Sequence, residues 1–166
     1  MEDVIKLIHE FFAKNNMKYK YNEKKKLFTS GVKMNSVLGN LRLNIFIREN
    51  SYVVYAILNS TPEIKFYGEV AEYLHRANYG LLNGNFEFDY RDGEIRYKVF
   101  VDFEGIQLSM DAITESIVVP AIMFDQYGKN LLRIMMGDGI PEELIKKAEE
   151  DIEIEECSPE VSIDET

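Results

Sequence analysis

Hydrophobic residues change their spacing several times along the chain, and each change marks an element. Val4, Ile5, Leu7, Ile8, Phe11 and Phe12 recur at three- and four-residue intervals, which gathers them on one stripe of a helix. Asn15-Asn16 ends that helix. The spacing then drops to two: Met17, Tyr19 and Tyr21 point one way, with Lys18 and Lys20 opposite. Leu27 to Met34 continues as strand, with Gly31 as a candidate bulge. Leu41, Leu43, Ile45 and Ile47 form one strand face, opposite Arg42, Asn44 and Arg48. Glu49-Asn50 is the candidate turn, because Asn tolerates positive φ. Tyr52 to Leu58 returns from it, apolar on both faces, which predicts a central strand covered on both sides.

Thr61-Pro62-Glu63 predicts a helix start, with Thr as cap, Pro in the first turn and Glu at the positive end of the dipole. Its apolar positions are Phe66, Val70, Tyr73, Leu74, Ala77 and Leu81, and Asn83-Gly84-Asn85 stops it. Phe86, Phe88 and Tyr90 alternate with Glu87 and Asp89, and Asp92-Gly93 turns the chain into Ile95, Tyr97, Val99, Val101 and Phe103. Ser109 caps a last long helix from Met110 to about Met136, roughly 40 Å at the helical rise. Pro120 predicts a kink inside it, and Gly137-Asp138-Gly139 ends it. Pro141 to Glu150 reads as one more short exposed helix. The order α-β-β-β-α-β-β-α, with three main helices and an antiparallel sheet of five or six strands, places the chain in the α+β class. A doubly wound nucleotide fold, which alternates strand and helix, is disfavoured.

Composition changes this picture at one end only. The 166 residues, 46% hydrophobic, suffice for one domain with its own core. The net charge of −10 is uneven: residues 142–166 hold 11 acids and 2 lysines, and residues 1–141 hold 18 acids and 17 bases. The expected division is therefore a domain over 1–141 and an acidic, partly disordered tail over 142–166, with order ending near residue 150. Without a basic patch, nucleic acid is not an expected partner. Lys24-Lys25-Lys26, the one basic cluster, reads as a solvated turn. No run reaches the roughly 18 apolar residues of a membrane helix. With an acidic Met1-Glu2-Asp3 start and Cys157 as the sole cysteine, a cytoplasmic location is expected.

Candidate chemistry is sparse. His9-Glu10 begins like a zincin helix, but Ala13 stands where the second ligand is needed. Cys157 lies in the tail, where no base is held beside it. The Gly137–Gly139 stretch follows a helix instead of leading into one, so it is a poor phosphate cradle. His75 reads as a partly exposed helix residue, and Asp89 and Asp102 as solvated carboxylates on adjoining strands. No catalytic, cofactor-binding or metal-binding residue is assigned. The most unusual feature is Ile117-Val118-Val119-Pro120-Ala121-Ile122-Met123-Phe124, which is apolar around a whole helix. Either the fold wraps this run or a partner does, and Ile117, Val118, Ile122 and Met123 are the candidate interface residues.

The stretch from Glu69 to Gly137 resembles the YbjN-like family of small bacterial proteins. The features carrying the resemblance are Asn78 near the end of a helix, Gly84-Asn85-Phe86 entering a strand, the Asp92-Gly93-Glu94 turn, Ile95-Arg96-Tyr97, Leu108-Ser109 before a long helix, and Pro62 upstream. His75 departs from the family, which often has a second Asn there. The resemblance implies a fold similar to type III secretion chaperones, with helices packed on a curved antiparallel sheet, and no catalytic residues. It also implies a sensory or stress-response role, or chaperone-like binding of another protein, frequently as a dimer. The expected function is accordingly a non-enzymatic protein-binding module, with a protein partner or a second copy and no cofactor. The alternative is a small enzyme or ligand-binding domain using carboxylates and tyrosines in a pocket. The side chain of Asn78 is expected to bond the backbone of the Leu82–Asn85 turn.

Overall fold

The computed structural model describes residues 1–34 and 36–156. Its elements are α1 (Glu2–Lys14), β1 (Tyr19–Asn22), β2 (Leu27–Lys33), β3 (Asn40–Ile47), β4 (Ser51–Leu58), α2 (Tyr67–Asn78), β5 (Asn85–Phe88), β6 (Ile95–Asp102), α3 (Met110–Met135) and α4 (Pro141–Glu156). The class is α+β. Six strands form one sheet in the order β1-β2-β3-β4-β6-β5, and every neighbouring pair is antiparallel. Four strands precede α2, where three were expected, because β1 and β2 are separate arms of a hairpin turned by Glu23–Lys26.

Strand parity decides the core. Phe28, Leu41, Leu43, Ile45, Ile47, Tyr52, Val54, Ala56, Leu58, Phe86, Ile95, Tyr97 and Val99 lie on one side of the sheet and share a single cluster with the helices. α3 is the central helix of the second layer. It turns Ile113, Ile117, Phe124, Tyr127, Leu131 and Ile134 inward and contacts α1, α2 and α4. Its start and end follow the sequence. The Ser109 hydroxyl accepts from the Ala112 amide at 3.1 Å. Gly137, with φ +73°, closes the far end while the Asp138 amide donates back to the Arg133 carbonyl at 2.8 Å. The helix continues past Pro120, which is buried.

Several expectations are corrected. Gly31 is no bulge: β2 and β3 stay in register through Gly31 and Arg42. Thr61 caps no helix, because Glu63 is still extended at ψ 147° and the chain enters α2 through a 3-10 turn, Ile64–Phe66. α4 is not a short exposed helix. Leu144, Ile145 and Ala148 are buried in the main core, and the Asn130 amide donates to the Leu144 carbonyl at 3.2 Å. The folded body therefore continues beyond residue 141, although acids occupy the outer face of α4. Cys157 and the remainder of the tail, including the expected disorder, lie outside the described residues. Among the described residues, no helix is long and apolar enough to cross a membrane.

A further correction concerns β4. Its apolar residues of one parity meet the helices as expected, but Val53 and Ile57, of the other parity, are buried without belonging to the main core. Among the described residues, no second layer lies over them, and their cover comes from side chains of adjacent strands.

Candidate functional site

The sequence-selected chemistry does not converge. His9 is spent on structure: its Nδ1 lies 2.7 Å from the Tyr19 hydroxyl, and its ring packs edge-on against Tyr21 and Phe28. His75 is exposed on α2. Asp89 sits at the β5–β6 turn, where the Arg91 guanidinium and amide hold its carboxyl down at about 2. Asp102 lies at the far end of β6 opposite Ser51 and accepts from the Glu104 amide at 2.9 Å, so the two carboxylates are at opposite ends of the strand. No three His, Cys, Asp or Glu side chains gather among the described residues.

The buried tyrosines are equally committed. The Tyr73 hydroxyl donates to the Tyr127 carbonyl at 2.9 Å, and Tyr97 donates to the Asn83 carbonyl at 2.6 Å. Ser116 donates to the Ile113 carbonyl at 2.8 Å, which leaves Tyr52 to donate to Ser116 Oγ at 2.7 Å. Burial pushes all three phenols up, Tyr97 to about 12, which keeps them protonated donors. These bonds tie α2 to α3, β6 to the loop before β5, and β4 to α3, and groups so held are poor acids or bases near neutrality.

The sheet's second face has a definite pattern. Register places Leu27 beside Phe46, Phe46 beside Val53, and Val53 beside Phe100. These side chains form one apolar row across β2, β3, β4 and β6, perpendicular to the strands. Phe46 and Phe100 are 36% and 57% exposed, whereas Val53 between them is 8% exposed. Residues 100 and 46 thus act as walls with a valine floor, and a shallow depression lined by Lys25, Phe46, Arg48, Val53 and Tyr55 opens along one side.

The next two rows are polar. Thr29, Asn44, Tyr55, Lys98 and Asn85 form one, and Gly31, Arg42, Ile57, Arg96 and Glu87 form the other. Their charges are largely satisfied within the sheet. Arg96 Nε donates to Glu87 at 2.7 Å, Lys98 also donates to Glu87, and the Arg96 guanidinium lies 4.2 Å from the centre of the Tyr55 ring. Arg42 reaches Glu94 at 3.2 Å. Partial burial alone would raise the Glu87 carboxyl, but the hydrogen bonds from Lys98 and Arg96 outweigh it and hold Glu87 below the ordinary carboxylate range.

A folded-state value lower than the unfolded one stabilises above the unfolded value, and the effect disappears as pH falls through the lowered one. Glu87→Gln should therefore cost about 1 kcal/mol or less at neutral pH. The gap from the parent should close as pH drops below the ordinary glutamate range. Thermal melts at neutral and strongly acidic pH check this, and a gap independent of pH would remove the charge argument.

The four interface candidates on α3 divide by helical phase. Ile117 is 3% exposed and belongs to the core, and Met123 packs partly against it. Val118 and Ile122 face outward, 37% and 51% exposed. An eight-residue apolar run has no phase of its own; Ile113 and Tyr127 on either side of it, turned inward, set it. The open sheet face was missed because a doubly apolar strand announces burial without saying what buries it. The cross-strand row was available in principle from the hairpin registers.

No protein-family model matches the chain, and no curated protein matches it. Among solved structures, the chain is similar to one from the crystal structure of the ExsC-ExsE complex. The match has 12% sequence identity and a TM-score of 0.46, and covers 75% of this chain and 92% of that one.

Proposed function

We propose that the protein is a non-enzymatic, YbjN-like protein-binding module of the bacterial cytoplasm, chaperone-like or regulatory, whose partner docks on the open face of the sheet. The single observation that carries this reading is the apolar row Leu27–Phe46–Val53–Phe100, which no helix covers among the described residues. Soluble domains seldom leave a contiguous apolar row in water without a use. Covering an exposed Phe side chain contributes about 1.5–3 kcal/mol. Lys25 and Arg48 beside the depression favour a partner segment that brings carboxylates next to its apolar side chains. The folded body forms a single domain in this reading, followed by the acidic tail.

The test is affinity capture from the native cell with the full chain, compared with Phe46→Glu/Phe100→Glu. Both side chains are outside the main core, so the double variant should melt close to the parent. Loss of a reproducible protein partner by a folded variant is the expected result. A partner retained by the variant would place binding elsewhere, and a chain that releases only a small molecule on denaturation would favour a ligand-binding domain.

A further inference from the structure

The rows on the open face of the sheet have a spacing and a charge order that constrain what can lie on them. Leu27, Phe46, Val53 and Phe100 are on four successive strands. Neighbouring strands are about 4.8 Å apart, so the last three stand at about 4.8, 9.6 and 14.4 Å from the first. Depressions of about 380 Å³ and 90 Å³ flank Val53, and Arg48 and Tyr55 line both. One pleat repeat away, about 6.7 Å along the strands, runs a charged row. Its members are Lys25, which borders the larger depression, Arg48, whose amide donates to the Ser51 carbonyl, and Asp102 opposite Ser51. Lys25 and Arg48 are exposed and form no ion pair with another described residue, although Glu23, Lys24 and Glu49 stand in the adjoining turns. The row is therefore basic over β2 and β3 and acidic at β6, where exposed Glu104 follows Asp102.

Resting on the partner reading above, we propose that the element docked on this face is an amphipathic helix laid across the strands, its apolar side chains on the row and its carboxylates on the flank that meets Lys25 and Arg48. A helix repeats its apolar face three, seven and ten residues on, at about 4.5, 10.5 and 15 Å, so it keeps step with the four strands. An extended segment running the same way repeats one face at about 6.7 and 13.4 Å and falls out of step by the second side chain. With its side chains a helix is about 10–12 Å across, so one flank overlies the charged row. The other flank overlies Thr29, Asn44, Tyr55 and Lys98, and Lys98 is already held by Glu87. Carboxylates therefore belong on one flank only, in the half of the helix over β2 and β3, away from Asp102 and Glu104.

Fluorescence anisotropy with the full chain and labelled synthetic peptides tests this. The probe is a peptide of about 15 residues with leucine at the four apolar positions, glutamate on one flank and glutamine elsewhere. One control reorders the same residues to alternate as a strand, and the other replaces glutamate by lysine. The acidic helical peptide should bind about tenfold or more tighter than either control and gain helical circular dichroism on binding. Lys25→Glu/Arg48→Glu should reverse the preference between acidic and basic peptides, and Phe46→Glu/Phe100→Glu should abolish binding of both. All four positions are exposed, and melting curves matching the parent confirm folding; the comparison of peptides on the parent needs no variant. A strand-patterned peptide that binds as well overturns the helix and leaves the partner reading standing, because that reading depends on Phe46 and Phe100 and not on the occupant's conformation. No binding by any of the peptides, or an unchanged preference in the charge variant, also overturns the helix. So does self-association that Phe46→Glu/Phe100→Glu removes, which would assign the face to a second copy. Partner capture indifferent to Phe46→Glu/Phe100→Glu would overturn the partner reading and the helix with it.

Discussion

Gly84→Ala is expected to destabilise the protein by about 2–4 kcal/mol, read as a shift of the denaturant midpoint. Gly84 has φ +87°, a region an L side chain enters only with strain. A methyl there would also be driven into the Lys98 carbonyl oxygen, the Tyr97 ring and a Val99 methyl. None of these yields easily. The carbonyl belongs to the β6 backbone, and the Tyr97 ring is anchored through its hydroxyl to the Asn83 carbonyl. Gly80 provides the control, since a methyl there meets no atom within 4 Å and its φ is not positive. Gly80→Ala should be neutral or slightly stabilising. Equal effects at the two positions would show that β6 does not approach the turn as closely as described.

Asn78→Ala should cost about 1–3 kcal/mol and lower the melting temperature. The side chain was expected to bond the Leu82–Asn85 turn and reaches one residue further. It donates to the Phe86 carbonyl at 2.9 Å and accepts from the Phe86 amide at 2.7 Å. Two groups of one strand residue point the same way, and these point away from β6, so the amide takes the place of a neighbouring strand. Alanine leaves the Phe86 amide unpaired and its carbonyl with only the Asn85 side-chain amide, at 3.1 Å. Asn78→Asp separates the halves of the interaction: it keeps an acceptor for the amide and sets a carboxylate against the carbonyl, so it should not rescue stability. A melting temperature unchanged by Asn78→Ala would mean that water replaces the amide without cost.

Local signals were legible where a residue acts on its own neighbourhood. Ser109 caps, Gly137 terminates, and Glu49-Asn50 turns β3 into β4, with the Arg48 amide donating to the Ser51 carbonyl at 2.8 Å, although Asn50 does not take the positive φ for which it was singled out. Thr61 failed because cap chemistry does not by itself place the first turn; Pro62 is buried and the helix begins five residues later. α4 was underestimated because its inward residues, Leu144, Ile145 and Ala148, are few and modest in size among acids. The candidate site was legible in its ingredients and illegible in its cover. Val53 and Ile57 announced a second buried face on β4, but only the fold shows that sheet side chains, not helices, lie around them.

The amide of Asn78 also fixes how many neighbours the sheet can have. Its two outermost strands are β1 and β5. Among the described residues, the outward groups of Phe86 on β5 are occupied by side-chain amides, so a strand adding at β5 must displace them, and β1 is the edge without such a plug. A sheet open at both ends can add copies without limit, each addition exposing a fresh edge. A sheet stoppered at one end has a valency of one: if two copies met through β1, both outer ends of the joined sheet would be stoppered. Growth would stop there, and a fibre built by repeating this sheet would first have to displace the side chains of Asn78 and Asn85 from Phe86.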